Sequence, residues 1–385
     1  MKKTKLAKKQ ILEHLFSIMS PGKPLRAAID RIQEANLGAI IVLGDPKKLS
    51  DVMRGGFELN TAYTPQKVYE LSKMDGAIIL SENIKTIHGA FALACLNKSL
   101  TRDAPTPTNI SIKTIYGANI QLQPNYSIET DESGTRHQAA HRIAQQKGNL
   151  VVAVSERRNK ITVYKGDFTY SLNELSNLLV KSSQAITALE KYSLGIEKGW
   201  TNLSVLEFDN MVTLYDVVEV IRMYGLLFKM SEELLDYMAE LGVESRLVKI
   251  QYEEIMLNKN ESFHALIKDY KMEGEKADKV VENIRNLTKE ELFEDENIVN
   301  ILGYNLKDIS LDEAIKSRGY SLLSSINKIT KKDIDLITGE LQDVQMILLA
   351  TPERIGQIKG ISKFKSEHVH KALTRLKNKI ALDRE

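Results

Sequence analysis

The sequence predicts a multidomain α+β protein: an α/β domain first, an all-helical middle, and a C-terminal part built of short helices. Three observations carry that expectation. Short apolar runs alternate with helical patterns through residues 1–170, as strands and helices do in an α/β sandwich. All eight prolines fall at positions 21, 24, 46, 65, 105, 107, 124 and 352, so none interrupts a helix between Asn125 and Thr351. From Ser171 onward the apolar residues recur at helical rather than strand spacing.

The first domain opens on a basic segment, Met1-Lys2-Lys3-Thr4-Lys5, whose charge resembles the head of a signal peptide. Glu13 and His14 break the apolar run that should come after it, so a basic helix on a cytoplasmic protein is expected. Buried strands are expected at 39–44, 76–80, 150–155 and 161–164, each a short apolar run beside turn formers. Arg157-Arg158-Asn159-Lys160 would turn the last two into a hairpin. Helices fit between the strands at 25–34, 65–73 and 136–147. In the middle part, Ser171 and Glu174 read as a capping box ahead of a stripe of Leu172, Leu175, Leu178 and Leu179. Helical patterning continues over 211–240, 245–257 and 261–270, with Gly242 and Gly274 as stops.

Composition narrows the function classes. The chain has 385 residues, 43% hydrophobic and 27% charged, with a formal net charge of +2. A chain this close to neutral can meet nucleic acid only through local clusters. One is present: the final segment carries Arg354, Lys359, Lys363, Lys365, Lys371, Arg375, Lys377 and Lys379, whereas residues 289–296 are acidic. The single cysteine, Cys95, excludes an intrachain disulfide and fits a reducing compartment. No stretch of about 18 uncharged apolar residues is present to cross a membrane.

Two motifs carry chemistry. Met74-Asp75-Gly76-Ala77 sets a carboxylate and a glycine at the mouth of an apolar strand. Ser133-Gly134-Thr135-Arg136-His137 follows a glycine turn with a hydroxyl, a guanidinium and an imidazole at the start of an Ala-rich helix. A carboxylate suits a divalent cation, and Arg, His and backbone N–H groups suit phosphate. Together they suggest a site for a metal-bound nucleotide.

Asp75-Gly76-Ala77 with Gly134-Thr135-Arg136-His137 resembles the motif pair of diadenylate cyclase domains. Nearly the whole chain is similar to DNA integrity scanning proteins, the DisA family. The shared words are Pro21 to Ala27, Gly55-Gly56-Phe57, Leu71 to Met74, Ser155 to Asn159, Leu189 to Tyr192 and Arg318-Gly319-Tyr320. The resemblance implies an α/β diadenylate cyclase domain with a mixed central sheet at 1–170, an all-helical spine at 171–316 and a C-terminal helix-hairpin-helix domain at 317–385. It implies that two ATP molecules condense into cyclic di-AMP between face-to-face domains of a homo-octamer, with Mg²⁺ or Mn²⁺ as cofactor. Branched DNA, such as a Holliday junction, would bind the C-terminal domains and lower activity. Asp75 would hold the metal or orient the attacking 3′-hydroxyl. Gly76 and Ala77 would lie along the nucleotide, Leu122 near the adenine, and Thr135, Arg136 and His137 on the phosphates. Ser155, Glu156 and Arg158 would complete the ATP site, while His141 and Arg142 are expected to be structural or surface groups.

Three departures from the family pattern are visible. Gln138 stands where a second arginine is usual, and an amide cannot reproduce a guanidinium grip. If that position meets phosphate, turnover falls; if it braces the domain, little changes. About 28 extra residues lie between Ile87 and Tyr116, where Ile84-Lys85-Thr86-Ile87 recurs as Ile112-Lys113-Thr114-Ile115. This insertion, near 88–115, would act as a lid or obstruct the pairing of domains. At the C-terminus, Ile358-Lys359-Gly360-Ile361-Ser362 reads as the hairpin, with Lys359, Gly360, Ser362, Lys363 and Lys365 as DNA contacts. Ser362 replaces a second glycine there. Gln138 and the insertion leave an alternative open: a DNA-binding scaffold whose cyclase domain binds nucleotide without turnover.

Overall fold

The computed structural model describes residues 2–81, 113–158 and 160–382. Cys95 and most of the expected insertion lie outside them. Contacts divide the chain into two compact units, Met1–Lys181 with Asp236–Arg246, and Ser182–Leu235 with Leu247–Glu385.

The first unit is built on a mixed sheet. The four expected strands form as β1 (Ala39–Leu43), β4 (Ala77–Leu80), β6 (Leu150–Val154) and β7 (Ile161–Lys165). Four more strands join them: β2 (Met53–Arg54), β3 (Phe57–Ala62), β5 (Thr114–Leu122) and β8 (Phe168–Ser171). The order is β2-β5-β4-β1-β6-β7-β8, with β3 also paired to β5. β1 and β4 are parallel, and the other pairs are antiparallel. Side chains alternate along each central strand and both faces are covered, which is why these strands read as unbroken apolar runs. Ile41, Leu43, Ile78, Leu80, Val152 and Val154 pack with Leu25, Ile29 and Val68 on one face. Ile40, Val42, Ala77, Ile79, Val151 and Ala153 pack with Ala140, Ile143 and Ala144 on the other. The helices responsible are Pro24–Glu34, Pro65–Ser72 and Thr135–Lys147, close to their expected bounds.

Two expectations are corrected here. Thr114 and Ile115, assigned to the insertion, begin β5: Ile115 pairs with Thr61 and Leu80 and is wholly buried. The last two residues of the repeated word's second copy therefore belong to the sheet. Ser171 ends β8 opposite Thr162, so it does not cap a helix; the long helix starts at Leu175. Within the same unit, Glu240 accepts hydrogen bonds from Tyr170 Oη and the Asn173 backbone N–H, both at 2.7 Å.

After the sheet, helices run at Leu214–Leu241, Arg246–Ile255 and Lys259–Tyr270, and Gly242 takes a left-handed φ of 56° where the first ends. Arg318 Nη1 donates to the carbonyls of Lys268 and Lys271 at 3.0 and 2.8 Å. Asp269 accepts from the Tyr320 and Ser321 backbone N–H groups at 2.5 and 2.8 Å. The word Arg318-Gly319-Tyr320 is thus a structural junction that ties the helix Lys259–Tyr270 to the start of the helix Tyr320–Ser324.

Two helical hairpins come next. The helices Tyr320–Ser324 and Lys331–Leu341 flank Ile326-Asn327-Lys328-Ile329-Thr330, while Pro352–Gly356 and Lys363–Leu382 flank Ile358-Lys359-Gly360-Ile361-Ser362. The turns match position by position. Lys328 and Gly360 are left-handed, with φ of 67° and 103°. Thr330 and Ser362 hydroxyls each accept a backbone N–H three residues on, from Asp333 and Lys365 at 3.3 Å. Those two third residues, Asp333 and Lys365, close on one another at 2.7 Å.

Candidate active site

The sheet register assembles the site. On parallel strands β1 and β4, Ile40 lies opposite Ala77, so Gly38 and Asp75 each precede the first pair by two residues. On β1 and β6, Ala39 lies opposite Val154, which brings Ser155 level with Gly38. Asp75, Gly38 and Ser155 therefore share one end of the sheet. The helix Thr135–Lys147 packs on the adjacent face and points its N-terminus at the same end.

Arg136, at the start of that helix, spans the row. Its Nη1 donates to Glu156 Oε2 at 3.0 Å, and its Nη2 lies 3.7 Å from Asp75 Oδ1. Exposed pairs of this kind contribute only about 0–1 kcal/mol to stability. Their value is positional: a guanidinium is held between two carboxylates, with the fully exposed Asp75 carboxylate free on its outer side. Gly134 precedes the helix with φ of 100°, a conformation that glycine adopts without strain. The first N–H groups of the helix have no partner within it, and they add partial positive charge at this end of the sheet.

The neighbouring groups have definite roles. Ser155 Oγ accepts the Arg158 backbone N–H at 3.2 Å, and Arg158 Nη1 donates to Ser133 Oγ at 2.9 Å, fastening the 155–158 turn to the loop before the helix. Burial pushes the His137 imidazole below its ordinary range, and Lys160, Arg158 and Arg136 add to that against Glu132. At neutral pH it is an uncharged donor or acceptor and not a further cation. His137 also meets the Tyr164 ring edge-on at 6.5 Å. Gly76 has a reason within the fold: at φ 107° its Cβ would stand 2.8 Å from the backbone at Asn119 and Ile120. Ala77 and Leu122 are core residues on the helix-covered face, Leu122 at 9% exposure.

The residue at the family's missing arginine braces the domain. Gln138 Nε2 donates to the Glu132 carbonyl at 3.0 Å. One turn on, His141 Nδ1 bonds Thr130 Oγ1 at 2.7 Å, and Arg142 Nε donates to the Ile128 carbonyl at 2.9 Å. All three fasten the 128–132 loop, so His141 and Arg142 are structural as expected. Sequence reasoning missed Gly38, a residue with no chemistry of its own. Only the pairing register reveals where it lies.

The residues fit a divalent cation of the Mg²⁺ type. Such an ion keeps several waters and takes one or two carboxylates plus substrate phosphates. Asp75 is one exposed, acceptor-only carboxylate, and among the described residues no cluster of three or more His, Cys, Asp or Glu forms a protein cage.

At the second hairpin, Lys359, Gly360, Ser362 and Lys363 are exposed at the turn and helix start. Lys365 is engaged elsewhere, with both oxygens of Asp333 within 2.8 Å. Burial raises the Asp333 carboxyl, but bonds from Lys365 and Thr330 outweigh it and hold the pKa at about 2. Among the described residues no helix is long and apolar enough to cross a membrane.

Comparison with known proteins identifies the family. The family model described as DisA bacterial checkpoint controller nucleotide-binding matches residues 26–105 and 108–168, and the DisA bacterial checkpoint controller linker region matches 172–311. The chain is 34% identical over 371 residues to the DNA integrity scanning protein DisA of Clostridioides difficile (strain 630), covering 96% of each. It is 36% identical over 373 residues to that of Clostridium perfringens (strain SM101 / Type A), covering 97% of each. Against that of Bacillus cereus (strain B4264) it is 34% identical over 372 residues, covering 96% of each. With its nucleotide-binding and linker regions both matched and near-complete relatives on either count, the chain belongs to the DNA integrity scanning protein DisA family, and it is a diadenylate cyclase, a nucleotidyltransferase.

Proposed function

We propose that the protein condenses two ATP molecules into cyclic di-AMP and two pyrophosphates across a face-to-face pair of cyclase domains in a homo-octamer. The observation that carries the reading is the convergence of Asp75, Arg136 and Glu156 at one sheet end, beneath a helix N-terminus. Each 3′-hydroxyl oxygen attacks the α-phosphorus of the opposite nucleotide, the bond to pyrophosphate breaks, and the hydroxyl proton leaves to solvent or to a carboxylate. Phosphoryl transfer asks the protein for position and charge neutralisation. Thr135, Arg136 and the helix N-terminus bind the phosphates, and neutral His137 supplies a hydrogen bond. Asp75 holds Mg²⁺ or Mn²⁺, or orients the attacking hydroxyl; the ion, when bound, neutralises charge on the triphosphate. Ser155, Glu156 and Arg158 shape the pocket beside Gly76, with the buried Ala77 and Leu122 backing it.

The C-terminal hairpin binds branched DNA through backbone N–H groups around Gly360 and Ser362 and through Lys359 and Lys363, and this binding lowers cyclase activity. Lys365, being paired, contributes less. The test is direct: purified chain with ATP and Mn²⁺ is expected to give cyclic di-AMP and pyrophosphate, less when a four-way junction is added, and none after Asp75→Asn. Thermal stabilisation by ATP without product would favour the scaffold reading instead. In this chain Gln138 is engaged in the bracing bond to the Glu132 carbonyl, and Gln138→Arg separates the two readings: a gain in rate favours the rival.

A further inference from the structure

Gly38 sits in the middle of the row that the sheet register creates, between Asp75 on one side and Ser155 on the other. A Cβ added there would lie 2.3 Å from Arg136 Nη1, 2.8 Å from Cζ and 3.3 Å from Nε. Three atoms of one guanidinium thus crowd a single missing methyl. The plane of the group rests on the bare backbone of Gly38 while its two ends reach Glu156 and Asp75.

We infer that Gly38 is a positioning residue for the cyclase reaction: its absent side chain is the seat that sets the Arg136 guanidinium between the two carboxylates. This deepens the proposed site and rests on it. Two features separate the seat from an ordinary packing glycine. Gly38 is not in the left-handed region, unlike Gly76 and Gly134, so its backbone accepts an L side chain and space alone excludes one. The colliding atoms are the far end of a flexible side chain, not backbone, so the fold can accommodate a methyl group by giving up the position of the guanidinium. Ordinary contact begins near 3.4 Å, which requires a retreat of about 1 Å. Misplacement on that scale is enough to slow a positioned reaction by roughly 10²-fold.

The experiment compares Gly38→Ala, Arg136→Ala and the double variant in the full chain, by ATP affinity, rate of cyclic product and thermal midpoint. Gly38→Ala is expected to lower the rate roughly 10–100-fold, to weaken ATP binding, and to leave the thermal midpoint unchanged. The double variant should bind ATP no more weakly than Arg136→Ala alone, because the seat acts only through the group seated on it. Full activity in Gly38→Ala, losses of the two single variants that add in the double, or a lowered thermal midpoint would each overturn the inference. Unaltered ATP affinity and rate in Arg136→Ala would instead overturn the site reading on which the seat depends, and that outcome is recognisable by itself.

Discussion

The two candidate sites are made in opposite ways. At the cyclase end, residues from four separate segments, at Gly38, Asp75, Arg136 and Glu156, are gathered by sheet register and a helix start. At the C-terminal hairpin, one continuous turn from Lys359 to Lys363 presents backbone and charge together, held in shape by a matching turn beside it. Chemistry at a chosen atom needs particular groups at particular places. Gripping a repeating phosphate chain needs only donors and positive charge. The first kind of site should fail at single residues, and the second should weaken by degrees.

The largest expected effect tests the first half of that contrast. Asp75→Asn keeps size and removes charge, and product formation should fall at least roughly 10²–10³-fold with the fold intact. A variant retaining most of its rate in a product assay would show that the exposed carboxylate is dispensable. Next comes the clasp between the hairpins. Asp333 is 4% exposed, and its pKa of about 2 lies below the ordinary 3.8, so ionised Asp333 stabilises the fold. That contribution, on the order of 2 kcal/mol, is complete above about pH 4 and disappears as pH falls toward 2. Asp333→Ala should therefore lower the urea midpoint at pH 7 and differ less from the parent at pH 3; an equal gap at both would refute the clasp.

Lys359→Ala with Lys363→Ala should reduce junction affinity in a graded way, flattening the log-affinity against log-salt slope by about 1 for each phosphate that is no longer neutralised. An all-or-none collapse of binding would blur the distinction between the sites. Gln138→Arg is expected to change least, within roughly twofold in rate, because the amide is engaged in bracing a loop. A large gain would put a phosphate ligand where the bracing bond now lies.

What could be read from residues alone respects the same division. The four central strands were legible because both faces are buried, which leaves an unbroken apolar run. β3 was not, since Phe57–Ala62 has no buried residue and the left-handed Asn60 shifts its register, and β5 was hidden by Gly117, the left-handed Asn119 and the repeated word at its start. Asp75 and Arg136 were legible as chemical types in a motif. Gly38 was not, because its part is an emptiness defined by two neighbouring strands. Lys365 reads as a DNA contact from its charge, yet the fold spends that charge on a residue 32 positions away.

Equivalent places in the two matched turns hold opposite signs, Asp333 in one and Lys365 in the other. A first hairpin set against another first hairpin would oppose two anions, and a second against a second would oppose two ammonium groups, each repulsive. Only unlike halves gain the ion pair. The sign pattern thereby favours the pairing found here, between the two turns of one chain.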